Sequence, residues 1–224
     1  VVDYSNGADV VVGEARIAGP AGLRERRVAI EPGTLHIQLL ALALASVKLS
    51  IRDVILVPMP QNAMPNAFAE GLVSAAVCFP PESNRIIEAG GKVLFHSGQV
   101  PGQVIDTLVF DGAFVNRRGP DVPVFVAAYY KAVALMASQP DEPHAIMARR
   151  ENMSVAELRQ TLAGMHFVSR TEQPALLAPG GPVERSLNEL QGAMMALAQL
   201  RQAHNLKDFL IAREFLAADF GVLA

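Results

Sequence analysis

The chain has 224 residues, 51% of them hydrophobic and 18% charged, with a formal net charge of −3. That length suits one or two domains with an ample core, and the lack of a long polar tract excludes a disordered chain. No nucleic-acid partner is indicated, since the densest basic stretch is only RERR at 24–27, and the single Cys78 excludes an internal disulfide.

The chain opens in a strand-like run, without an initial Met and without a signal-peptide pattern, so it reads as a mature or trimmed piece. A short β-branched run follows at 8–13 (ADVVVG), and another at 26–30 (RRVAI). After a Pro-Gly-Thr turn, residues 35–49 are too long and too rich in Leu and Ala for a strand, so the composition predicts a helix. Next come a strand over 53–60 ending in proline, a helix over 62–71 stopped by Gly71, a strand over 73–79, a helix over 81–91 closed by glycines, and a strand over 92–97. Strands and helices alternating in this way predict βαβ units in a doubly wound, mostly parallel α/β sheet. The strands are nearly continuous in apolar residues, as expected where helices cover both faces.

The character changes after about residue 106. One more strand is expected at 106–111, then helices over 121–139, 141–152 and 154–165, the last opened by a Ser154/Glu157 capping box. A Pro- and Gly-bearing stretch at 172–184 separates these from two further helices near 183–203 and 207–220. The expected organisation is a complete α/β lobe over 9–105. Residues 1–8 and 106–224 supply the crossings, near 1–9 and 104–112, and a mostly helical remainder of another lobe. No apolar run approaches the length that spans a bilayer, LLALALASV at 39–47 being far too short.

Gly33 and Thr34 fall where strand 26–30 turns into a helix, at the carboxyl end of a strand in an open α/β sheet, where such sheets bind ligands. The first N–H groups of a helix lack intrahelical partners and favour a negative or carbonyl oxygen. Gly33 allows close approach, and the Thr34 hydroxyl offers a further donor; turn and N-cap roles explain the same two residues equally simply. His36 could act as a general base, but no Ser or Cys nucleophile with a spaced acid accompanies it. His96, His144, His166 and His204 show no metal-ligand spacing. Neither a catalytic set nor a cofactor or metal site is expected, and Cys78 reads as a small buried hydrophobe.

The segments DYSNGADVVVG (3–13), RRVAIEPGTLHIQLLALAL (26–44), AFAEGLVSAAVCFPPESNRIIEAGGKVLFHSGQVPG (67–102) and DTLVF (106–110) resemble, in that order, the solute-binding proteins of ABC importers in the NMT1/THI5-like or SsuA/TauA-like group. The resemblance implies a type 2 periplasmic binding protein fold, with two lobes around a ligand cleft, and runs from residue 3 to about 150. It carries onto Ser5, Asn6, Gly7, Ala8 and Asp9 of the crossing, and onto Gly33, Thr34, Leu35 and His36 at the helix start. It also matches Ala67, Phe68, Gly71, Val73 and Ala75, with Ser74 where Asp is usual. Phe79-Pro80-Pro81 stands where the family has a Trp-x-Pro element lining the cleft, which keeps an aromatic wall and loses a donor. The expected ligand-binding residues are Ser5, Asn6, Gly7, Ala8, Asp9, Gly33, Thr34, Leu35, His36, Met59, Phe79 and Glu82. The stretch that builds most of the first lobe's sheet in the family is missing ahead of residue 3, which implies possible self-association of a truncated chain through exposed helix faces.

The implied partners are a small solute (a sulfonate, nitrate or bicarbonate, or a pyrimidine or other vitamin precursor) and the permease of an ABC transporter. The implied location is periplasmic or otherwise extracytoplasmic, with a lipid anchor possible. The loops 4–9, 31–36, 58–64 and 79–85 contain no Lys and only Arg85, which points away from a bare oxyanion. They favour a neutral or zwitterionic heteroaromatic or amide-bearing solute, with Tyr4, Phe79, Met59 and Met64 as an apolar wall. The rival readings are a ligand-sensing module of a signalling protein and, more distantly, an enzyme like those that make the thiamine pyrimidine precursor.

Overall fold

The computed structural model describes residues 1–198 and 200–205. The chain enters through a short strand, β1 (Asp3–Ser5), and then builds one five-stranded sheet from β2 (Val10–Glu14), β3 (Arg27–Ile30), β4 (Ile55–Pro58), β5 (Ala75–Cys78) and β6 (Gly91–His96). Their spatial order is β4-β3-β5-β2-β6. β3 runs parallel to both β4 and β5, while β2 runs antiparallel to both β5 and β6. The sheet is thus mostly parallel with one reversed strand inside it, as an α/β lobe of the expected class.

Alternation along the strands sorts side chains to two cores. Val11, Val28, Ile30, Ala75 and Val77 point to the face covered by α1 (His36–Ala45), whose Ile37, Leu39, Leu40, Ala43 and Leu44 join them. Val10, Val12, Ala29, Ala76 and Cys78 point to the opposite face, packed by α2 (Met64–Ala69) and α3 (Glu82–Glu88) through Met64, Ala67 and Ile86. Met64, expected as part of an apolar wall, is fully buried in this second core. Helices on both faces explain why the strands carry so few polar residues.

β7 (Ile105–Asp106) returns alongside β1, and β1 also pairs with β8 (Met165–Phe167), giving a second, three-stranded sheet in the order β7-β1-β8 with both pairings antiparallel. Beyond β7 the chain is helical: α4 (Gly112–Arg118), α5 (Asp121–Ser138), α6 (Asp141–Arg150), α7 (Val155–Ala163), α8 (Gln173–Leu176) and α9 (Pro182–Ala196). α9 returns to the first core, where Leu190, Met194 and Leu197 pack against the α1 face.

Several boundaries differ from the sequence expectation. α1 stops at Ala45, because the Ser46 hydroxyl donates to the Ala43 carbonyl (2.6 Å) and Lys48 turns into the left-handed region at φ 60°. The strand expected at 106–111 is only Ile105–Asp106, after which Asp111 accepts from the Phe114 N–H (3.0 Å) and starts the unanticipated α4. The helix expected over 154–165 opens on the Ser154/Glu157 capping box but ends at Ala163, because Met165–Phe167 pair with β1. α5, with 18 residues and a mean hydropathy of 1.2, is long and apolar enough to cross a membrane by length and composition. This corrects the expectation of no such stretch, which weighed only uninterrupted apolar runs and passed over a segment holding Asp121 and Lys131. Only Val122 of α5 is buried, and Val124, Phe125 and Leu135 are exposed. The helix expected near 207–220 lies outside the described residues.

Candidate functional site

The carboxyl ends of β3, β4, β5 and β6 open on one edge of the five-stranded sheet, beside the turn 5–9 that joins β1 to β2. Gly33 takes φ 77°, a left-handed turn that glycine adopts without a Cβ penalty, and no atom beyond its own chain neighbours lies within 4 Å of where a Cβ would sit. The Thr34 hydroxyl donates to the Glu31 carbonyl (2.8 Å) and accepts from the His36 N–H (3.3 Å). It therefore closes the turn, and its proton is held within the loop. Leu35 is the half-buried residue at the start of α1.

His36 is buried, with its Nδ1 accepting from the Glu31 N–H (3.1 Å). That bond places the ring proton on Nε2. Burial holds the imidazole below its ordinary pKa, against the opposing pull of Glu31 and Gln61, so it stays neutral and structural. Its ring meets Phe79 edge-on with centroids 6.2 Å apart.

Gln61 joins the strand ends, although nothing in the sequence singles it out. Its side-chain N–H donates to Glu82 Oε2 (3.0 Å), its carbonyl oxygen accepts from the Phe79 N–H (3.3 Å), and its backbone N–H reaches Glu31 Oε2 (3.4 Å). One residue thus spans the ends of β3, β4 and β5, its backbone tied to Glu31 and its side-chain amide orienting the Phe79 loop. Glu82 is buried, with Arg85 3.6 Å away as its cation. Phe79 remains 39% exposed, an aromatic face left open to solvent. Met59 is partly buried against the second core.

The turn 5–9 is held as tightly. The Ser5 and Ser97 hydroxyls lie 2.6 Å apart, the Gly7 N–H donates to Ser97 Oγ (2.8 Å), and the Asp9 N–H donates to Ser5 Oγ (3.1 Å). The Asn6 and Ala8 N–H groups both donate to the Gly164 carbonyl (2.7 and 3.2 Å). The backbone donors of residues 6–9 therefore have partners within the protein, and the exposed group here is the Asn6 side chain. Asp9 is buried, and that burial raises its carboxyl pKa, opposed by a hydrogen bond from Ser5.

A cavity of 160 Å³ adjoins this edge, lined by Pro80, Pro81, Asn84 and Arg85 from the β5–α3 side. Its other wall comes from the α6–α7 region, with Glu151, Asn152, Met153, Glu157 and Thr161. Sequence reasoning did not find that wall, because it meets the β5–α3 loop only in three dimensions. A larger groove of 470 Å³, between α1, the 49–52 loop and α9, lies along the helices instead of the strand ends. Among the described residues no group of three or more His, Cys, Asp or Glu could hold a metal ion. Cys78 is fully buried, and burial, with Glu82 and Asp9 nearby, pushes its thiol up to about 12. The edge thus combines an aromatic face, fixed polar side chains and a neighbouring cavity, and suits binding by stacking and hydrogen bonding.

No protein-family model matches the chain, and no curated protein matches it by sequence. Solved structures do. The periplasmic aliphatic sulphonate-binding protein SsuA from Escherichia coli superposes with a TM-score of 0.72 at 17% identity, over 92% of this chain and 67% of that one. A putative periplasmic sulfonate-binding protein SsuA of an ABC transporter from Methylobacillus flagellatus KT gives 0.75 at 16% identity, over 97% and 67%. The desulfurization enzyme DSZB gives 0.59 at 16% identity, over 96% and 76%. The chain therefore has the fold of the periplasmic binding proteins, of the SsuA type, as the motif order implied.

Proposed function

We propose that this chain is the substrate-binding component of an ABC importer. It would hold a small organic solute at the carboxyl ends of β3–β6 and hand it to a membrane permease outside the cytoplasm. The observation that carries this reading is the likeness of nearly the whole chain to periplasmic sulfonate-binding proteins. Ligand placement at strand ends in open α/β sheets agrees with it.

In this reading residues 9–105 form one lobe, and residues 1–8 and 106–224 supply the crossings and helices of the other, with hinge closure around the solute. Phe79 offers a stacking face, Asn6 an exposed amide, and Gln61 fixes the loop that presents Phe79. Asp9, Glu31 and Glu82 surround the edge, and Glu151 and Glu157 stand across the cavity, against Arg85 as the one basic residue among the described residues that line it. That balance disfavours a bare anion and favours a neutral or zwitterionic heteroaromatic or amide-bearing solute. Binding is preferred over catalysis because the Cys78 thiol is buried and protonated, and the His36 ring is neutral with its Nδ1 engaged.

A thermal-shift screen of the full-length protein tests this. Alkanesulfonates, nitrate, bicarbonate, aminopyrimidines and amino-acid-like solutes are each added over a concentration series. One class should raise the melting temperature progressively, as a ligand at a hundred times its Kd adds about 2.7 kcal/mol of stability. A melting temperature unmoved by every class contradicts the proposal.

A further inference from the structure

The strands that lead into and out of the five-stranded sheet bring two carboxyl groups together. Asp3 of β1 sits directly opposite Asp106 of β7 in the antiparallel register. Asp3 is 7% exposed, and its Oδ1 has no hydrogen-bond partner among the described residues. Asp106 is exposed. Asp9, in the turn after β1, is close enough to act electrostatically on Asp3. Like charges directly opposite one another destabilise a strand pair, and a buried carboxylate without a partner costs more.

The surrounding elements do little to neutralise the pair. On β8, Asp3 faces the apolar Phe167, and the neighbouring His166 stacks on Tyr4 and binds Glu172 at 2.8 Å. From α5, the Tyr129 hydroxyl donates to the Val2 carbonyl (2.7 Å). The Val1 nitrogen donates to Gln173 Oε1 (3.1 Å).

We propose that Asp3 and Asp106 share a single proton, and that this proton sets how firmly the two crossing strands hold together. With the proton in place, a carboxyl–carboxylate hydrogen bond ties β1 to β7. When it leaves to solvent, two negative charges face each other and the crossing loosens. Burial first, then the charge of Asp106 and the hydrogen bond to it, raises the Asp3 carboxyl to about 7. The switch therefore falls near neutral pH. That the crossing serves as the hinge of a closing cleft rests on the function proposed above; the shared proton does not.

The test is hydrogen exchange on the full-length, solute-free protein. The probes are the Val2 amide, which donates to the Asp106 carbonyl, and the Ser5 amide, which donates to the Val104 carbonyl, both at 2.9 Å. If opening the crossing returns Asp3 to its ordinary value of 3.8, protection corrected for intrinsic exchange should fall about tenfold from pH 6 to pH 8. Asp3→Asn should abolish that fall, and Asp106→Asn, which leaves Asp3 buried but removes the facing charge, should reduce it. If Asp3→Asn fails to fold, Asp106→Asn, at an exposed position, carries the test. Protection independent of pH in the wild type, or an equal fall in the variants, overturns the proposal. Because no solute is present, failure of solute binding leaves this result standing, and loss of the pH effect leaves the solute reading standing.

Discussion

Cys78 shows how far burial alone decides what a side chain can do. Its thiol has no exposed surface, its pKa is pushed up to about 12, and it packs in the second core beside Met64 and Ile86. A thiol in that state offers almost no thiolate at neutral pH. Iodoacetamide at pH 8 should therefore leave the native protein unlabelled and modify Cys78 fully once the chain is unfolded, which intact mass measurement reads directly. Rapid labelling of native protein would show that the strand end opens far more readily than its packing implies. His36 is governed by the same effect: burial lowers its pKa, and a main-chain N–H occupies its Nδ1. Cys78 was legible as buried from its apolar surroundings, whereas His36 was expected at the ligand and its burial was not foreseen. Gln61 and Ser97 were not legible either, because an amide or hydroxyl in a loop carries no periodic signal. Their roles rest on partners 18 to 92 positions away in the chain.

At the level of elements, α1 and α9 are joined by more than apolar contact. The buried Gln38 side chain donates from one nitrogen to the Gln103 carbonyl (2.7 Å) and to Ser186 Oγ (2.8 Å), while the Ser186 hydroxyl donates to the same carbonyl (2.6 Å). Replacing Gln38 with Leu removes two donors from a buried network. It should cost about 1–3 kcal/mol in denaturant unfolding, with α9 losing amide protection before the five-stranded sheet. A neutral substitution would mean that the apolar seam alone holds α9. The alternation of strand and helix from 26 to 97 was legible because glycines and prolines stop each element and strand residues are apolar on both faces. β8 escaped notice because its strand character comes from pairing with β1, far away in sequence, and not from its own three residues. α4 escaped because it rests on a single Asp111 cap.

On the scale of the whole molecule, the order of motifs along the chain was more informative than any one of them, and that order implied the architecture shared with the SsuA-type structures. The reversed strand β2 between β5 and β6 is topological, and no local pattern distinguishes it from a parallel neighbour. The site is likewise a property of assembly. Phe79, Asp9 and Glu82 were legible as strand-end residues, but the wall contributed by 151–161 exists only because α6 and α7 fold back toward the β5–α3 loop. The central claim is that this edge, with Phe79 as its open aromatic face, grips a small solute. Titration calorimetry of the wild type and Phe79→Ala, with whichever solute class raises the melting temperature, tests it most directly. Loss of stacking worth about 0.5–1.5 kcal/mol beyond area burial, together with the buried area itself, should weaken binding by tenfold or more. Equal affinity in the two proteins would place the solute somewhere other than the carboxyl ends of the sheet.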